Sequence, residues 1–326
     1  MRAVVVHRAG GPEVLQIEER PIPKPKSGWV LVRVHAFGLN HSELVTRAGG
    51  SGDAVAFPRV LGIEAVGEVV EDPSGKHAPG QTFVAAMGEM GRKYDGGYEE
   101  YALLPIAQVI PVRTKLDWAE LGAVPETFAT AWGSLDKLAL PEGASLLVRG
   151  GSSSVGMATI TLAKARNVVV IATTRQDKKR PALEKAGVDH VLIDRGRIAG
   201  EVRQLFPNGV DGLLELVGPA TMIDSLEAVR RGGCSCLTGY LESVFDADQA
   251  KEAAARLGID RRRYSSGVVN ADSYGTVMQD IVDVVQERRL NVNLDRTFRL
   301  DEISEAHRYM EANRASGKVV VLTGAH

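Results

Sequence analysis

Apolar and polar positions follow two different rhythms along this chain of 326 residues. From the N-terminus to about residue 110 the apolar runs are short and lie between Gly and Pro. Arg2 to His7, Leu15 to Glu19, Trp29 to Ala36, Ala65 to Glu71, Gly80 to Ala86 and Tyr98 to Pro105 each predict a strand, rich in β-branched residues and bounded by turn formers. Pro21, Pro23 and Pro25 predict a stiff extended connection. Many short strands at close spacing predict a compact β-barrel-like domain. The segment MGEMGRKYDGG between Ala86 and Tyr98 reads as a mobile, glycine-rich loop.

From Asp117 the period lengthens. Trp118 to Val124 and Phe128 to Leu138 predict a pair of helices separated by Pro125. Apolar strands then alternate with helices. The strands are Ser145 to Val148, Val168 to Ala172, His190 to Ile193, Gly212 to Val217, Cys234 to Leu237 and Arg263 to Val269. The helices are Val155 to Arg166, Ile198 to Leu205, Ala220 to Arg230 and Asp248 to Leu257. This alternation predicts an α/β fold with a Rossmann-type doubly wound parallel sheet. The tail brings a helix from Tyr274 to Arg289, a short strand at Phe298, a helix from Ile303 to Asn313 and a strand from Lys318 to Leu322. It reads as returning to complete the first domain. The expected division is therefore 1–118 with 270–326, and 119–269.

Candidate chemistry concentrates after the strand at Ser145. Gly150, Gly151, Ser152, Ser153, Ser154, Val155 and Gly156 form a small-residue turn that opens a helix. Small side chains let the backbone approach a pyrophosphate, and the first amides of the helix point at its charge. The same turn would also serve an ordinary βαβ crossover, and Ser154 stands where a middle glycine is common. An NAD site usually places Asp or Glu at the end of the second strand, on the ribose hydroxyls. Here that strand runs into Thr173, Thr174 and Arg175, followed by Gln176-Asp177-Lys178-Lys179-Arg180. Hydroxyls and cations in that place suit a 2′-phosphate and favour NADPH. Asp177 lies at about the right count for a ribose acid and keeps NADH open, although it reads better as the N-cap of a helix containing Pro181.

Composition narrows the classes. A formal net charge of −2 excludes a broad basic field for nucleic acid. No apolar run reaches membrane-span length, and Met1 to Val6 reads as a strand rather than a signal peptide. Two cysteines rule out a disulfide framework and fit a reducing cytoplasm. Cys234 and Cys236 lie on one side of a predicted strand. Metal binding or oxidation is one reading of that pair, and two small buried residues is the other.

Taken in order, GLNHSEL, VLGIEAVGEVVE, VRGGSSSVG, ATTRQDKKRPALEKAGVDHVL and ASGKVVVL resemble the medium-chain dehydrogenase/reductase superfamily over nearly the whole chain. Within it the chain looks most like the zinc-free quinone oxidoreductase, or zeta-crystallin-like, branch. The resemblance implies a GroES-like first domain and a Rossmann second domain. Zinc-dependent members carry Cys where this chain has Asn40 and His where it has Ile63. Neither residue substitutes for those ligands, and Glu126, near the third position, cannot hold zinc alone, so no metal is expected.

The resemblance further implies roles. Ser152, Ser153, Ser154, Val155 and Gly156 would hold the pyrophosphate, and Thr174, Arg175 and Lys179 the 2′-phosphate. Thr130, Val217, Gly218, Thr238, Gly239, Val268, Asn270 and Lys318 would lie toward the nicotinamide. Asn40 would lie near the substrate, with Tyr98 or Tyr94 capping it, and Tyr98 or solvent would give the proton. The implied reaction is hydride transfer from NADPH to a quinone or an α,β-unsaturated carbonyl. The implied assembly is a homodimer through Rossmann edge strands near Arg263 to Val269. An alcohol dehydrogenase, or a crystallin-like NADPH binder with little turnover, are the competing readings.

Overall fold

A computed structural model describes residues 1–238, 247–287 and 290–325. The chain opens with β1 (Arg2–Val6), β2 (Leu15–Glu19), β3 (Trp29–Gly38), α1 (His41–Arg47), β4 (Arg59–Val60), β5 (Glu64–Glu71), β6 (Thr82–Ala86), β7 (Tyr101–Pro105) and β8 (Ile110–Pro111). Helices α2 (Trp118–Gly122) and α3 (Pro125–Leu138) follow. Pro125 does more than separate these helices: it begins α3, where its missing amide costs nothing.

The alternating region comprises β9 (Ser145–Arg149), α4 (Ser154–Ala165), β10 (Val169–Thr174), α5 (Arg180–Lys185), β11 (His190–Ile193), α6 (Ala199–Leu205), β12 (Val210–Glu215), α7 (Pro219–Glu227), β13 (Val229–Thr238), α8 (Ala247–Leu257) and β14 (Asp260–Tyr264). The tail adds α9 (Ala271–Gln286), β15 (Leu294–Arg299), α10 (Ile303–Glu311) and β16 (Lys318–Leu322).

Two compact units result, 1–129 with 266–326, and 130–265. Their division falls inside α3 rather than between residues 118 and 119, at the start of α2. In the first unit, β16 pairs antiparallel with β3, and β15 adds parallel to β16. The sheet order is β15-β16-β3-β5-β6-β8, with β7 also on β3, beside a small sheet β2-β1-β4. Val30, Val32, Val34, Phe37, Phe83, Leu104, Val319 and Val321 pack its core.

In the second unit all six strands are parallel, in the order β11-β10-β9-β12-β13-β14. This is the doubly wound order 3-2-1-4-5-6. Its direction reverses between β9 and β12, where such sheets open a ligand crevice at the carboxyl ends. The sixth strand is Asp260–Tyr264, earlier than its apolar neighbours suggest, and Ser266–Val268 is a short 3-10 turn. Asp260-Arg-Arg-Arg-Tyr264 can be a strand because it is an edge, where charged side chains reach water.

Candidate functional site

The turn between β9 and α4 is built by contact with its neighbours. Gly150 has φ +86°, a conformation that glycine supplies without a Cβ clash. A Cβ on Gly151 would come within 2.6 Å of the Ala172 Cβ, and one on Gly156 within 2.6 Å of the carbonyls of Gly150 and Gly151. Gly156 therefore lets the start of α4 lie directly on the turn. Ser153 is the N-cap, and its hydroxyl accepts the Gly156 amide at 3.1 Å. The amides of Ser154 and Val155, in the first turn of the helix, have no intrahelical acceptor. These features fit a pyrophosphate at a helix N-terminus.

The end of β10 is tied to that turn. Gly150 donates its amide to Thr173 Oγ1 at 3.0 Å, and Ser152 Oγ lies 3.1 Å from Thr174 Oγ1. Of the two cations expected beside them, Arg175 is exposed but Lys179 is buried. Asp177 is not the N-cap of α5. It opens a 3-10 turn and accepts Arg180 Nε at 3.0 Å, turned to its own cation.

At the end of β12, Glu215 folds back over the next turn. Its Oε1 accepts the amides of Val217 (2.8 Å) and Gly218 (3.2 Å) and the Thr221 hydroxyl, and its Oε2 accepts Ser225 Oγ. Burial pushes its pKa up. The Val217-Gly218 turn is thus held from within, with Gly218 at φ +126°. Thr238, at the end of β13, is buried and hydrogen-bonded to Ser134 Oγ at 2.9 Å. Ser134 Oγ donates to the carbonyl of Thr130. Gly239 lies outside the described residues.

In the first unit, Asn40, Glu43, Glu64 and Lys318 form a buried polar centre. Lys318 is 1 % exposed. Its Nζ lies 2.5 Å from Glu64 Oε1 and donates to Asn40 Oδ1 at 2.6 Å. Asn40 Nδ2 donates to Glu64 Oε1 (2.9 Å) and Glu43 Oε1 (3.3 Å). Glu64 Oε2 accepts the Glu126 amide at the start of α3, where a carboxylate is favourable. Gly38 makes room, since a Cβ there would meet Lys318 Cε and Glu64 Oε1. Burial raises the Glu43 pKa to about 7, against the amide of Ile63 and the charge of Lys318, which lower it.

These contacts correct several expectations. Both amide protons of Asn40 are engaged by carboxylates, so it offers the substrate no free donor. Lys318 is a core cation rather than one presented to a cofactor. Tyr98 is 0 % exposed, stacked on Phe37 at 4.5 Å and hydrogen-bonded to His307 Nε2 at 3.1 Å. Burial holds its pKa well above the usual tyrosine value. It is a core residue and no proton donor.

Arg47 explains the tautomer of its partner. Its Nη1 donates to His307 Nδ1 at 3.1 Å, so Nε2 carries the proton, and Arg47 also pairs with Glu311. Burial and the Arg47 charge lower the His307 pKa to about 3. Tyr94 donates to the Gly88 carbonyl at 2.9 Å and packs edge-on to Trp29, which fixes it within its own loop. Asn270 caps α9, its Oδ1 accepting the amides of Asp272 and Ser273, while Val268 is 55 % exposed.

Among the described residues no three His, Cys, Asp or Glu side chains are grouped so as to hold a metal ion. Cys234 and Cys236 are free thiols, buried, with pKa values raised by that burial. No helix of the described residues is long and apolar enough to cross a membrane. Sequence reasoning missed Glu64, His307 and Arg149, whose partners are far away in the chain, and Glu43, whose capping box with Asn40 three positions earlier is a local pattern. Arg149 also left a trace, as the one charge closing an apolar strand just before the turn.

Two family models match the chain, one described as the alcohol dehydrogenase GroES-like domain over residues 26–114 and one as zinc-binding dehydrogenase over residues 186–321. Human quinone oxidoreductase is 26 % identical over 331 residues, covering 99 % of this chain and 98 % of the relative. A mycobacterial protein solved in complex with NADPH superposes with a TM-score of 0.89 at 25 % identity, covering 99 % of this chain and 100 % of that one. A structure described as an NAD-dependent alcohol dehydrogenase gives 0.86 at 27 % identity, covering 99 % of this chain and 100 % of that one.

Proposed function

This chain belongs to the medium-chain dehydrogenase/reductase superfamily of nicotinamide-dependent oxidoreductases, in its quinone-oxidoreductase-like branch, and we propose that it uses NADPH to reduce a quinone or an α,β-unsaturated carbonyl without a metal. Bound, the reduced nicotinamide supplies the hydride. The chain's own role is to orient and enclose. The β9–α4 turn receives the pyrophosphate, and the rim formed by Ser152, Thr174 and Arg175 receives the 2′-phosphate.

The single observation that carries the NADPH reading is the strand end at Thr173-Thr174-Arg175. It has no acid of its own, and the nearby Asp177 is turned to Arg180. A hydroxyl and an exposed guanidinium suit a phosphate dianion better than a ribose hydroxyl pair. Support for metal independence comes from residue type, since Asn40 and Ile63 are not zinc ligands. The proton that completes the reduction comes from solvent, because Tyr98 is buried and the Tyr94 hydroxyl is given to the Gly88 carbonyl. A homodimer belongs to the same reading.

The test is oxidation of NADPH and NADH, measured in parallel, by metal-free protein with an ortho-quinone and a medium-chain enone. Turnover with NADPH, much weaker with NADH and unchanged by chelator, is expected. A preference for NADH would return Asp177 to the ribose. Bound zinc by elemental analysis, with turnover lost to chelator, would instead establish the alcohol dehydrogenase reading that one family description and one structural relative favour.

A further inference from the structure

Arg149 leads the largest fully buried side chains among the described residues, at 0 % exposure. It closes β9 one position before the glycine turn. Its guanidinium binds Asp194 with two parallel bonds, Nε to Oδ2 at 2.8 Å and Nη2 to Oδ1 at 2.9 Å. Nη2 also donates to the Gly196 carbonyl at 3.1 Å. Nη1 donates to Asp224 Oδ2 (2.7 Å), Ser225 Oγ (2.9 Å) and the Thr221 carbonyl (3.0 Å). Every nitrogen of the side chain is engaged. A buried ion pair of this kind is weak evidence for stability, because well-packed apolar residues can often replace it. What it does fix is where the carboxylates point.

The position of Asp194 gives that direction a consequence. Its amide donates to the Thr174 carbonyl at 2.8 Å, so it ends β11 directly beside the Thr174-Arg175 strand end. Its charge is felt together with that of Arg175, and the pKa of its carboxyl, though raised by burial, is held below the usual range by Arg149. Two carboxylates flank this turn, Asp177 and Asp194. Asp177 faces Arg180. Released from Arg149, Asp194 would compete for Arg175 and set a negative charge against a phosphate.

We propose that Arg149 determines cofactor choice by acting through Asp194. Its forked grip withdraws that carboxylate from the adenosine side and leaves Thr174 and Arg175 to a 2′-phosphate. Arg149 is a positioning residue that need not touch the cofactor. The inference rests on the NADPH reading above.

The experiment is titration of the full-length chain with NADPH and with NADH, following the fluorescence of the bound reduced nicotinamide, so that no turnover is needed. The parent is measured first, and tighter binding of NADH would overturn the NADPH reading itself. With NADPH preferred, Arg149→Met is expected to cut the ratio of affinities by about tenfold or more, chiefly by weakening NADPH. Adding Asp194→Asn is expected to restore the ratio, because the released charge is gone. Arg149→Lys keeps the charge but cannot hold both oxygens of Asp194. It should give a smaller fall, and it carries the test if the methionine variant does not fold. A variant with the parent's ratio, or a fall that Asp194→Asn does not reverse, would overturn the proposal and leave Arg149 a structural tether.

Discussion

Glu43 and His307 titrate in opposite senses inside the first unit, and each can be removed separately. The Glu43 carboxyl lies at about 7 in the folded chain, against an ordinary value of 4.5. Below pH 4.5 both folded and unfolded chains hold the proton, so the group costs nothing. As the pH rises from 4.5 to 7, the unfolded chain gives up its proton first and stability falls. One pKa unit is worth about 1.4 kcal/mol, so the loss over this window is about 3 kcal/mol. His307 runs the other way, from an ordinary 6.5 to about 3. Its stabilisation is complete above pH 6.5 and is lost as the pH falls toward 3. Between pH 6.5 and 4.5 that amounts to about 3 kcal/mol.

The slope of the parent protein sums several groups, including Glu99 and Glu215, whose pKa values burial also raises. Differences between variant and parent cancel these. Glu43→Gln should therefore gain about 3 kcal/mol on the parent as the pH goes from 4.5 to 7.5, whatever constant cost the amide adds. His307→Gln should lose ground on the parent by a similar amount from pH 4.5 to 6.5. Urea unfolding in a Trp132→Phe background reads the right unit, because Trp29 and Trp118 then remain and both lie within 1–129. A Glu43→Gln difference that stays flat between pH 5 and 7 would refute the buried, proton-holding carboxyl.

Tyr98→Phe keeps the stack on Phe37 but leaves the Nε2 proton of His307 without an acceptor, which should cost about 1–3 kcal/mol in urea unfolding. The pH profile of turnover should not move, and loss of one of its limbs would return Tyr98 to the chemistry. Lys318→Met leaves Glu64 buried without its cation and should cost about 3–5 kcal/mol. Adding Glu64→Gln should recover some of that loss; no recovery would mean the ammonium matters for packing rather than charge.

Legibility followed the range of the interactions. The β9 turn, α4 and β10 could be read because hydrophobic period and turn chemistry are local properties. Thr174 and Arg175 could be singled out because they occupy a strand end of known use. The sixth strand was displaced because its true residues, Asp260 to Tyr264, are mostly charged, and only the edge position makes a strand of them. Tyr98 was misread for a different reason. A tyrosine after two glycines looks like a loop residue, whereas its partner His307 lies 209 positions away. Arg149 finds Asp194 across 45 positions and Asp224 across 75, which no local pattern encodes.

In the proposed reading the acceptor lies near Asn40, and the saturation of that centre then matters as much as its missing ligands. Glu64 Oε1 is occupied by Lys318 and Asn40, and its Oε2 by the Glu126 amide. Asn40 Oδ1 takes Lys318 Nζ, and Ile63 is apolar. Lys318 thus supplies the positive charge beside Glu64, and its ammonium is already shared between two acceptors. Buried and so engaged, this ammonium is not presented to an acceptor, so the centre offers no free group to polarise an ordinary carbonyl, whose reduction needs strong polarisation of its oxygen. Quinones and enones accept hydride with less such help, because their conjugation carries the negative charge away from the carbon attacked. Within the proposed reading, this centre therefore favours a conjugated acceptor over a simple aldehyde or ketone.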